Sequence, residues 1–244
     1  MKKLILLFVF LFSFVLAKAQ MGYNYKEFGI GLDISAARGY TNIARQDEHV
    51  VANINFIYNY SPYIPVTAEL QFGTLSGGGL TPKLDRYGRM FTNHFEAFVL
   101  HADFQLGEVI DYSQNDLLNI VKNFYFGSGG GIVFNSNTVQ RTNIYPENGS
   151  LDYVFPGKDN SINLTVPLRF GYEFKIYNEY SEPYMAIDIG YVHNLVFGEG
   201  LDGYDDPSAK FKNNATNQYR QILIGVKFNF GNITSYNKLI RRFP

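Results

Sequence analysis

The stretch INLTVPLRFGYEFKI, Ile162 to Ile176, alternates between two kinds of residue without a break. Its even-numbered positions hold only Ile, Leu, Val, Phe and Tyr, whereas its odd-numbered positions hold Asn, Thr, Pro, Arg, Gly, Glu and Lys. Because successive side chains of a strand point to opposite faces, this pattern predicts a β-strand with one apolar face. If that face points inward, the protein is a soluble barrel or sandwich. If it points outward, the surrounding solvent is lipid.

The composition favours a β-sheet protein. Of the 244 residues, 46% are hydrophobic and 18% are charged, and the chain has 22 Phe, 19 Tyr and 23 Gly but no Trp. Aromatic residues are enriched in strands. A chain this rich in apolar residues has enough material for a sizeable folded domain, which argues against disorder.

Residues 1–19 have the three parts of a secretory signal peptide. Lys2 and Lys3 supply the positive start, Leu4 to Leu16 forms an apolar run, and Ala17-Lys18-Ala19 fits the small-x-small cleavage rule. An uncleaved anchor helix is the alternative, but the run is shorter than the ~20 residues that a membrane span needs. The sequence therefore predicts export through the inner membrane.

The exported chain would carry 18 basic and 22 acidic residues. This negative balance argues against nucleic acid as a partner. The chain has no Cys, so it offers neither a lipid attachment site after the signal nor a disulfide framework. Together these features predict a bacterial envelope protein.

Eight segments alternate in the manner of the opening stretch, and no apolar run after the signal could form a membrane helix. The predicted strands cover residues 27–37, 49–60, 64–75, 91–107, 123–136, 161–176, 183–197 and 217–231. Each is about ten residues or longer, which suits a tilted transmembrane strand. The pattern predicts an all-β fold, an eight-stranded antiparallel up-and-down transmembrane barrel at residues 27–231. Residues 20–26 would form an N-terminal lead, and residues 232–244 a periplasmic tail.

The predicted connections alternate in length. YSPY at Tyr60–Tyr63 and NEYSE at Asn178–Glu182 are typical of tight turns, whereas the gaps after the first, third, fifth and seventh strands are longer and polar. Long loops at one end and short turns at the other are typical of outer-membrane barrels. The connection from Gly107 to Asn123 is an exception, because it is long although it lies at the end of the short turns. Within it, Ser113 and Asp116 resemble the capping box of a short helix.

The eight segments have one bulky face and one face that is small or charged. An eight-stranded barrel is only just wide enough inside for its own side chains, so about forty bulky groups would overpack it. We therefore expect the bulky face to point into lipid; a soluble barrel and a two-sheet sandwich remain as alternatives that would bury it. Charges inside a narrow lumen must be paired or hydrated. The predicted polar network of the lumen consists of Asp33, Glu69, His101, Asp103, Arg169, Glu173, Lys175, Asp188 and Lys227.

The last strand, NQYRQILIGVKFNF, ends at Phe230, and with the signal peptide and the eight alternating strands it resembles the small outer-membrane barrels of the OmpA transmembrane-domain and OmpX type. The segments GSGGGIVFN, VPLRFGYEFK and GYVHNLVFGEGLDGYDD are similar to outer-membrane barrel proteins of the Bacteroidota, a porin-like group. The resemblance covers residues 22–231. It implies an outer-membrane location, insertion by the barrel assembly machinery, and contact with outer-membrane lipid and lipopolysaccharide.

Site chemistry is sparse in this sequence. None of the four histidines has a metal-binding spacing such as HExxH. His101 and Asp103 could pair in the lumen, and His193 lacks the following serine that lipid A deacylase barrels have. Asp202, Asp205 and Asp206 form a candidate weak divalent-cation loop, although their spacing is not that of a dedicated calcium loop. We expect no catalytic residue, no dedicated metal site and no cofactor.

Three functional classes remain open from the sequence. The favoured one is a non-enzymatic barrel with a plugged lumen that acts as a structural or adaptor component through its long loops. Such a protein would bind an unidentified protein partner, as an accessory to secretion or envelope assembly. The alternatives are a small porin-like channel and a lipid A-modifying enzyme that uses His101 and His193.

Overall fold

Eight antiparallel strands close into one barrel, in sequence order, with the last strand paired to the first. The computed structural model describes residues 24–112, 115–145, 153–205 and 217–236. The strands are β1 (Asn24–Tyr40), β2 (Glu48–Ser61), β3 (Ile64–Gly78), β4 (Met90–Gln105), β5 (Phe124–Val139), β6 (Asn160–Tyr177), β7 (Pro183–Phe197) and β8 (Gln218–Ser235). The predicted fold class is therefore confirmed. The predicted signal peptide and most of the predicted tail lie outside the described residues.

The first and last strands extend beyond their predicted limits. β1 begins at Asn24 instead of residue 27, and β8 ends at Ser235 instead of residue 231. Asn24 and Ser235 are register partners, so each extension supplies backbone hydrogen bonds for the other. Alternation could not reveal these ends, because residues 24–26 and 232–235 each contain a single aromatic or apolar residue, Tyr25 and Ile233, and so show no repeating pattern.

Apart from the long β4–β5 connection, the short connections lie at one end of the barrel and the longer ones at the other. The turn end carries the connections β2–β3, β4–β5 and β6–β7 and the barrel termini, and the loop end carries the remaining four. The β4–β5 connection contains a 3-10 helix (Leu106–Glu108) and helix α1 (Asp116–Val121). Within the described residues, no helix has the length and apolar character needed to cross a bilayer.

Helix α1 is capped differently from the prediction. The side chain of Asn115 accepts hydrogen bonds from the backbone N of Leu117 at 3.0 Å and of Leu118 at 3.1 Å. Asn115 is therefore the N-cap residue, and Asp116 is the first residue of the helix. The predicted capping box of Ser113 and Asp116 is wrong in its register, and Ser113 itself lies outside the described residues.

The bulky face of the strands points outward. On β6, Leu168 and Phe170 are exposed, whereas Arg169 between them is buried, as is Thr165 on the same face as Arg169. On β1 the outward positions from Phe28 to Ala36 are all apolar and exposed. An exposed apolar surface of this extent is typical of a barrel in lipid, and we call it the apolar belt.

Aromatic rings cluster on the apolar belt near the turn end. Phe28 contacts Tyr58 with ring centroids 5.8 Å apart. Tyr172 contacts Phe124 at 4.7 Å and Phe174 at 4.6 Å. Transmembrane barrels carry such aromatic girdles where lipid meets water. The girdle therefore marks the turn-side edge of the belt.

Candidate functional site: the filled lumen and its loop cap

The middle of the lumen holds a closed group of four side chains, which we call the ion-pair ring: Glu69, His101, Asp103 and Arg169. Arg169 donates from Nη1 to Glu69 Oε2 at 2.9 Å and from Nε to Asp103 Oδ1 at 3.2 Å. His101 lies between the same carboxylates, with Nε2 3.2 Å from Glu69 and Nδ1 3.3 Å from Asp103. None of the four side chains is more than 10% exposed. Each charge therefore depends on its ring partners for the stabilisation that water would otherwise provide.

A second charged group lies on the turn side of the ring. Glu173 accepts a hydrogen bond from Gln105 at 2.7 Å, and its other oxygen lies 3.4 Å from Nζ of Lys227. Lys175 donates to the side-chain oxygen of Gln105 at 2.5 Å. Its ammonium group also stands 4.5 Å from the centre of the Tyr63 ring, a cation–π geometry.

Neutral groups hold the two remaining acids of the predicted network. Asp33 accepts a hydrogen bond from the side chain of Asn55 at 2.5 Å. Asp188 accepts one from the hydroxyl of Tyr125 at 3.2 Å. The structure thus places all nine predicted lumen residues inside the barrel, seven of them in two ion-pair groups and two beside neutral donors.

Glycines on the inner wall make room for these side chains. A Cβ atom at Gly127 would overlap the carboxylate of Asp103, and one at Gly225 would overlap that of Asp33. A barrel of eight strands has no spare width to absorb such a collision. The small residues of the inner face are therefore part of the charged site.

The inner wall becomes apolar on the loop side of the ion-pair ring. Phe95 and Tyr219 contact each other with ring centroids 5.3 Å apart. We call this region the apolar layer. It comprises the wall residues Ala37, Val51, Leu75, Phe91, Phe95, Ala97, Val99, Val133, Val196 and Tyr219, and the loop residues Ile43, Phe155, Leu201 and Tyr204 that pack against them.

The apolar layer corrects the sequence prediction that the inward face is small or charged throughout. In β4, Phe91 and Phe95 share the inward parity of His101 and Asp103, so one strand face contributes to both regions. The prediction failed because the bulky residues were assigned to one face for the full length of each strand. Near the loops the inward face of β4 carries bulky residues instead, and the barrel is filled there like a soluble core.

Glutamine side chains join the two regions. The Tyr219 hydroxyl donates to Gln71 Oε1 at 2.9 Å, and Gln221 Nε2 donates to the same oxygen at 3.0 Å. Gln71 in turn donates to Glu69 at 2.5 Å. Gln71 thus links the hydroxyl of Tyr219 to the ion-pair ring, while the aromatic side chain of Tyr219 belongs to the apolar layer.

Asparagines anchor the β7–β8 loop in the mouth of the barrel. Asn93 donates to the backbone carbonyl of Leu201 at 2.9 Å, and Asn137 donates to that of Gly200 at 2.8 Å. Asn93 also donates to Asn135 at 2.7 Å. These asparagines supply hydrogen bonds that a buried loop backbone cannot obtain from water.

Three loops pack together above these anchors. The loop cap, as we call it, comprises the described residues among 79–89, 140–159 and 198–205. Arg141 donates to the carbonyl of Gly203 at 2.9 Å, and the backbone N of Asp205 donates to the carbonyl of Pro156 at 2.9 Å. The cap therefore closes the loop end with contacts that cross from one loop to the next.

Arg89 lies at the centre of the loop cap. It pairs with Asp85 at 3.1 Å, and its guanidinium carbon lies 5.4–5.6 Å from the ring centres of Tyr87, Phe155 and Tyr204. Both members of the ion pair are buried. Burial also raises the pKa of the Tyr204 hydroxyl, because desolvation disfavours the phenolate. Tyr204 therefore stays neutral and keeps its proton for hydrogen bonding.

Tyrosines close the turn end of the lumen. Tyr25, Tyr63, Tyr112 and Tyr236 form one buried cluster. The Tyr63 hydroxyl donates to that of Tyr112 at 2.6 Å, and burial raises the pKa of Tyr63. Packed side chains thus fill the lumen at the turn end, in the middle and at the loop end.

The aspartates of the predicted cation loop do not share one environment. Asp202 is buried and accepts a hydrogen bond from the backbone N of Tyr204 at 3.0 Å, whereas Asp205 is exposed. Asp206 lies outside the described residues. Within the part of the chain that the structure describes, no group of three or more His, Asp or Glu side chains is placed to hold a metal ion. Cation binding by this loop stays a prediction.

The two histidines that suggested an enzyme lie on opposite sides of the barrel wall. His101 is in the lumen, whereas His193 is on the outer face of β7. There its Nε2 lies 2.7 Å from the side-chain oxygen of Gln218, and its ring stacks on Tyr191. The wall prevents His101 and His193 from acting on one substrate atom.

Several residues that fill the lumen had been missed from the sequence. Asn93, Asn135 and Asn137 occupy inward-facing positions of β4 and β5, so the alternating pattern was sufficient to predict that they face the lumen. Arg89 and Phe155 lie in loops, where alternation carries no information. Their association depends on tertiary packing alone.

Comparisons with known proteins give similarities of the barrel only. No family model and no curated protein matches the sequence. Among solved structures, Neisserial surface protein A is 14% identical over 83% of this chain and 97% of that chain, with a TM-score of 0.44. Ail, the attachment invasion locus protein of Yersinia pestis in complex with the heparin analogue sucrose octasulfate, is 10% identical over 84% and 99%, with a TM-score of 0.46. The outer membrane protein OprG of Pseudomonas aeruginosa is 12% identical over 84% and 98%, with a TM-score of 0.37.

Proposed function

We propose that this protein is an integral outer-membrane barrel that is closed to solutes and acts as a structural or adaptor component through its loop cap. The observation that carries the proposal is the filled lumen. The tyrosine cluster, the ion-pair ring, the apolar layer and the loop cap occupy successive levels of one narrow barrel. A pathway for solutes would require several of these levels to be displaced together.

The outer surface supports a position in a membrane. The apolar belt is bounded by the aromatic girdle near the turn end and by charged residues near the loop end. A transmembrane barrel has this order of surfaces along its axis. In the outer membrane, the belt would contact lipid, the loop end would face lipopolysaccharide, and the barrel assembly machinery would insert the chain.

The loop cap supports a binding or adaptor role. Rigid loops on a strand scaffold are common recognition surfaces, and cross-loop bonds such as Arg141 to Gly203 hold this cap in one shape. A preformed surface loses little conformational entropy when a partner binds. The partner we propose is a protein of the envelope, in keeping with an accessory role in secretion or envelope assembly.

A non-enzymatic role is supported by the separation of His101 from His193 across the wall. Their separation removes the pair of residues that motivated a lipid A-modifying activity. Replacing either histidine with alanine should leave the lipid A of the host unchanged by mass spectrometry. A changed lipid A profile would overturn this part of the proposal.

Cysteine labelling in intact cells tests the location and the orientation together. The chain has no Cys, so a single introduced thiol reports its own position. Lys83→Cys lies in the exposed loop cap, and Tyr180→Cys lies in the exposed β6–β7 turn. We expect a membrane-impermeant maleimide to label Lys83→Cys in intact cells, and to label Tyr180→Cys only after the outer membrane is permeabilised. The reverse pattern, or no labelling of either thiol before lysis, would contradict the proposal.

A further inference from the structure

Two arginines stand on the outer wall directly beyond the apolar belt. Arg38 on β1 and Arg220 on β8 are register partners. Ala36 and Ile222, the next outward pair toward the turn end, are also register partners and belong to the belt. On β1 and β8 the two arginines are therefore the first charged residues on the loop side of the belt, at the depth where lipid headgroups meet a transmembrane barrel.

The immediate neighbours of this arginine pair leave an excess of positive charge. Glu48 is the register partner of Arg38, and its carboxylate accepts a hydrogen bond from Arg220 at 2.5 Å. The register partner of Arg220 on the other side is His193, which is engaged with Gln218. One carboxylate thus faces two guanidinium groups. Like charges directly opposite each other on neighbouring strands destabilise a sheet unless an anion compensates them.

The arginine pair also has hydrogen-bond donors to spare. Nε of Arg38 and Nε of Arg220 are shielded from solvent, and neither has a hydrogen-bond partner among the described residues. A buried donor without a partner lowers stability. The planar guanidinium group suits the oxygens of a phosphate, so a phosphate bound at the terminal Nη atoms would compensate the excess charge of the pair.

We propose that Arg38 and Arg220 bind a phosphate group of lipopolysaccharide in the leaflet around the loop end. The inference rests on the proposed outer-membrane function, because that location brings lipopolysaccharide to this level of the wall. Tyr40 flanks the pair, with its ring centre 6.1 Å from that of His193. Tyrosine favours the headgroup level of a membrane because it has an apolar ring and a polar hydroxyl. Tyr40 is therefore placed to contact the sugar of the same lipid.

Native mass spectrometry of the purified full-length barrel in detergent tests this site. The protein is titrated with bisphosphorylated lipid A and, separately, with lipid A from which both phosphates have been removed. We expect about 10-fold tighter binding of the phosphorylated form, which is the ratio that one net charge-assisted contact provides. The double variant Arg38→Gln/Arg220→Gln should lose this preference. Arg45→Gln should keep it, because Arg45 pairs with Asp47 in an exposed loop.

Several outcomes would overturn the proposal. Equal binding of the two lipid A forms by the wild-type protein would do so, and this comparison needs no variant to fold. A preference that survives in a folded double variant would assign the phosphate to another site. Phosphatidylglycerol that binds as tightly as lipid A, or inorganic phosphate that displaces lipid A at equal concentration, would contradict lipopolysaccharide as the source. Since the assay uses detergent, its failure is distinct from failure of the thiol labelling that tests the outer-membrane function.

Discussion

The ion-pair ring and the apolar layer lie in the same lumen, but different physical effects hold them together. β4 contributes to both, with His101 and Asp103 in the ring and Phe95 and Val99 in the layer. In the ring each buried charge depends on a specific opposite charge. In the layer each side chain depends on filling space, and several apolar residues of similar volume would serve. The ion-pair ring therefore requires particular charged side chains, whereas the apolar layer requires only that a given volume be filled by apolar side chains.

The largest effect is expected from Arg169→Met, which removes the cation that Glu69 and Asp103 share. Two buried carboxylates would remain without their main partner, so we expect a loss of about 3–5 kcal/mol in the free energy of unfolding. Guanidinium chloride unfolding in lipid vesicles, followed by far-UV circular dichroism, measures it. Arg45→Met, in the exposed pair with Asp47, should cost about 0–1 kcal/mol. Equal losses in the two variants would show that the ring is not a special site.

Leu75→Ala tests the apolar layer in the same assay. Leu75 is fully buried, and a truncation there leaves a cavity but no unpaired charge, so we expect a loss of about 3 kcal/mol. Leu80→Ala, at an exposed position of the loop cap, is the matched control and should change stability little. A loss at Leu75 no larger than at Leu80 would mean that this end of the lumen is not packed.

Leu168→Arg extends the comparison to the outer face of the wall. Leu168 is register partner to Ser128 and His193, in the middle of β6, and lies on the apolar belt. An arginine near the bilayer centre should cost about 2–4 kcal/mol, falling to about 0–1 kcal/mol near the interface. Ile162→Arg, on the same face of β6 but close to the loop end, should therefore be tolerated better. Equal tolerance, measured as the fraction that folds into vesicles, would argue against a lipid-facing belt.

The smallest effect expected is the coupling between Glu69 and Arg169. Glu69→Gln removes one of the two carboxylates that Arg169→Met leaves unpaired. The double variant should thus be more stable than the sum of the single losses predicts, by about 1–2 kcal/mol. Additive losses in the unfolding assay would show that the two side chains act independently.

Alternation along the strands was enough to predict the fold and the orientation of the faces. In β6 the parity of Arg169 and Glu173 placed both in the lumen, and the volume of the bulky face placed Leu168 outside. Alternation has a period of two, however, and carries no information on position along the barrel axis. For that reason the residues of the ring were predicted, whereas the division of the lumen into charged and apolar regions was not.

The loop cap could not be predicted from the sequence, for a related reason. Arg89 and Phe155 are far apart in the chain and lie in segments without regular structure. Their contact follows from how three loops fold over one opening. The anchoring asparagines were within reach, because Asn93 and Asn137 have inward parity. A polar residue repeated at inward positions near a strand end is therefore a useful signal for a loop that enters the lumen.

Single-channel recording tests the central claim of a closed lumen most directly. The purified full-length protein is inserted into planar lipid bilayers, after far-UV circular dichroism has shown that it is folded. We expect no stable conductance steps, because the tyrosine cluster, the ion-pair ring, the apolar layer and the loop cap each fill the barrel. Large and stable steps from the wild-type protein would contradict the account and would favour a small porin-like channel.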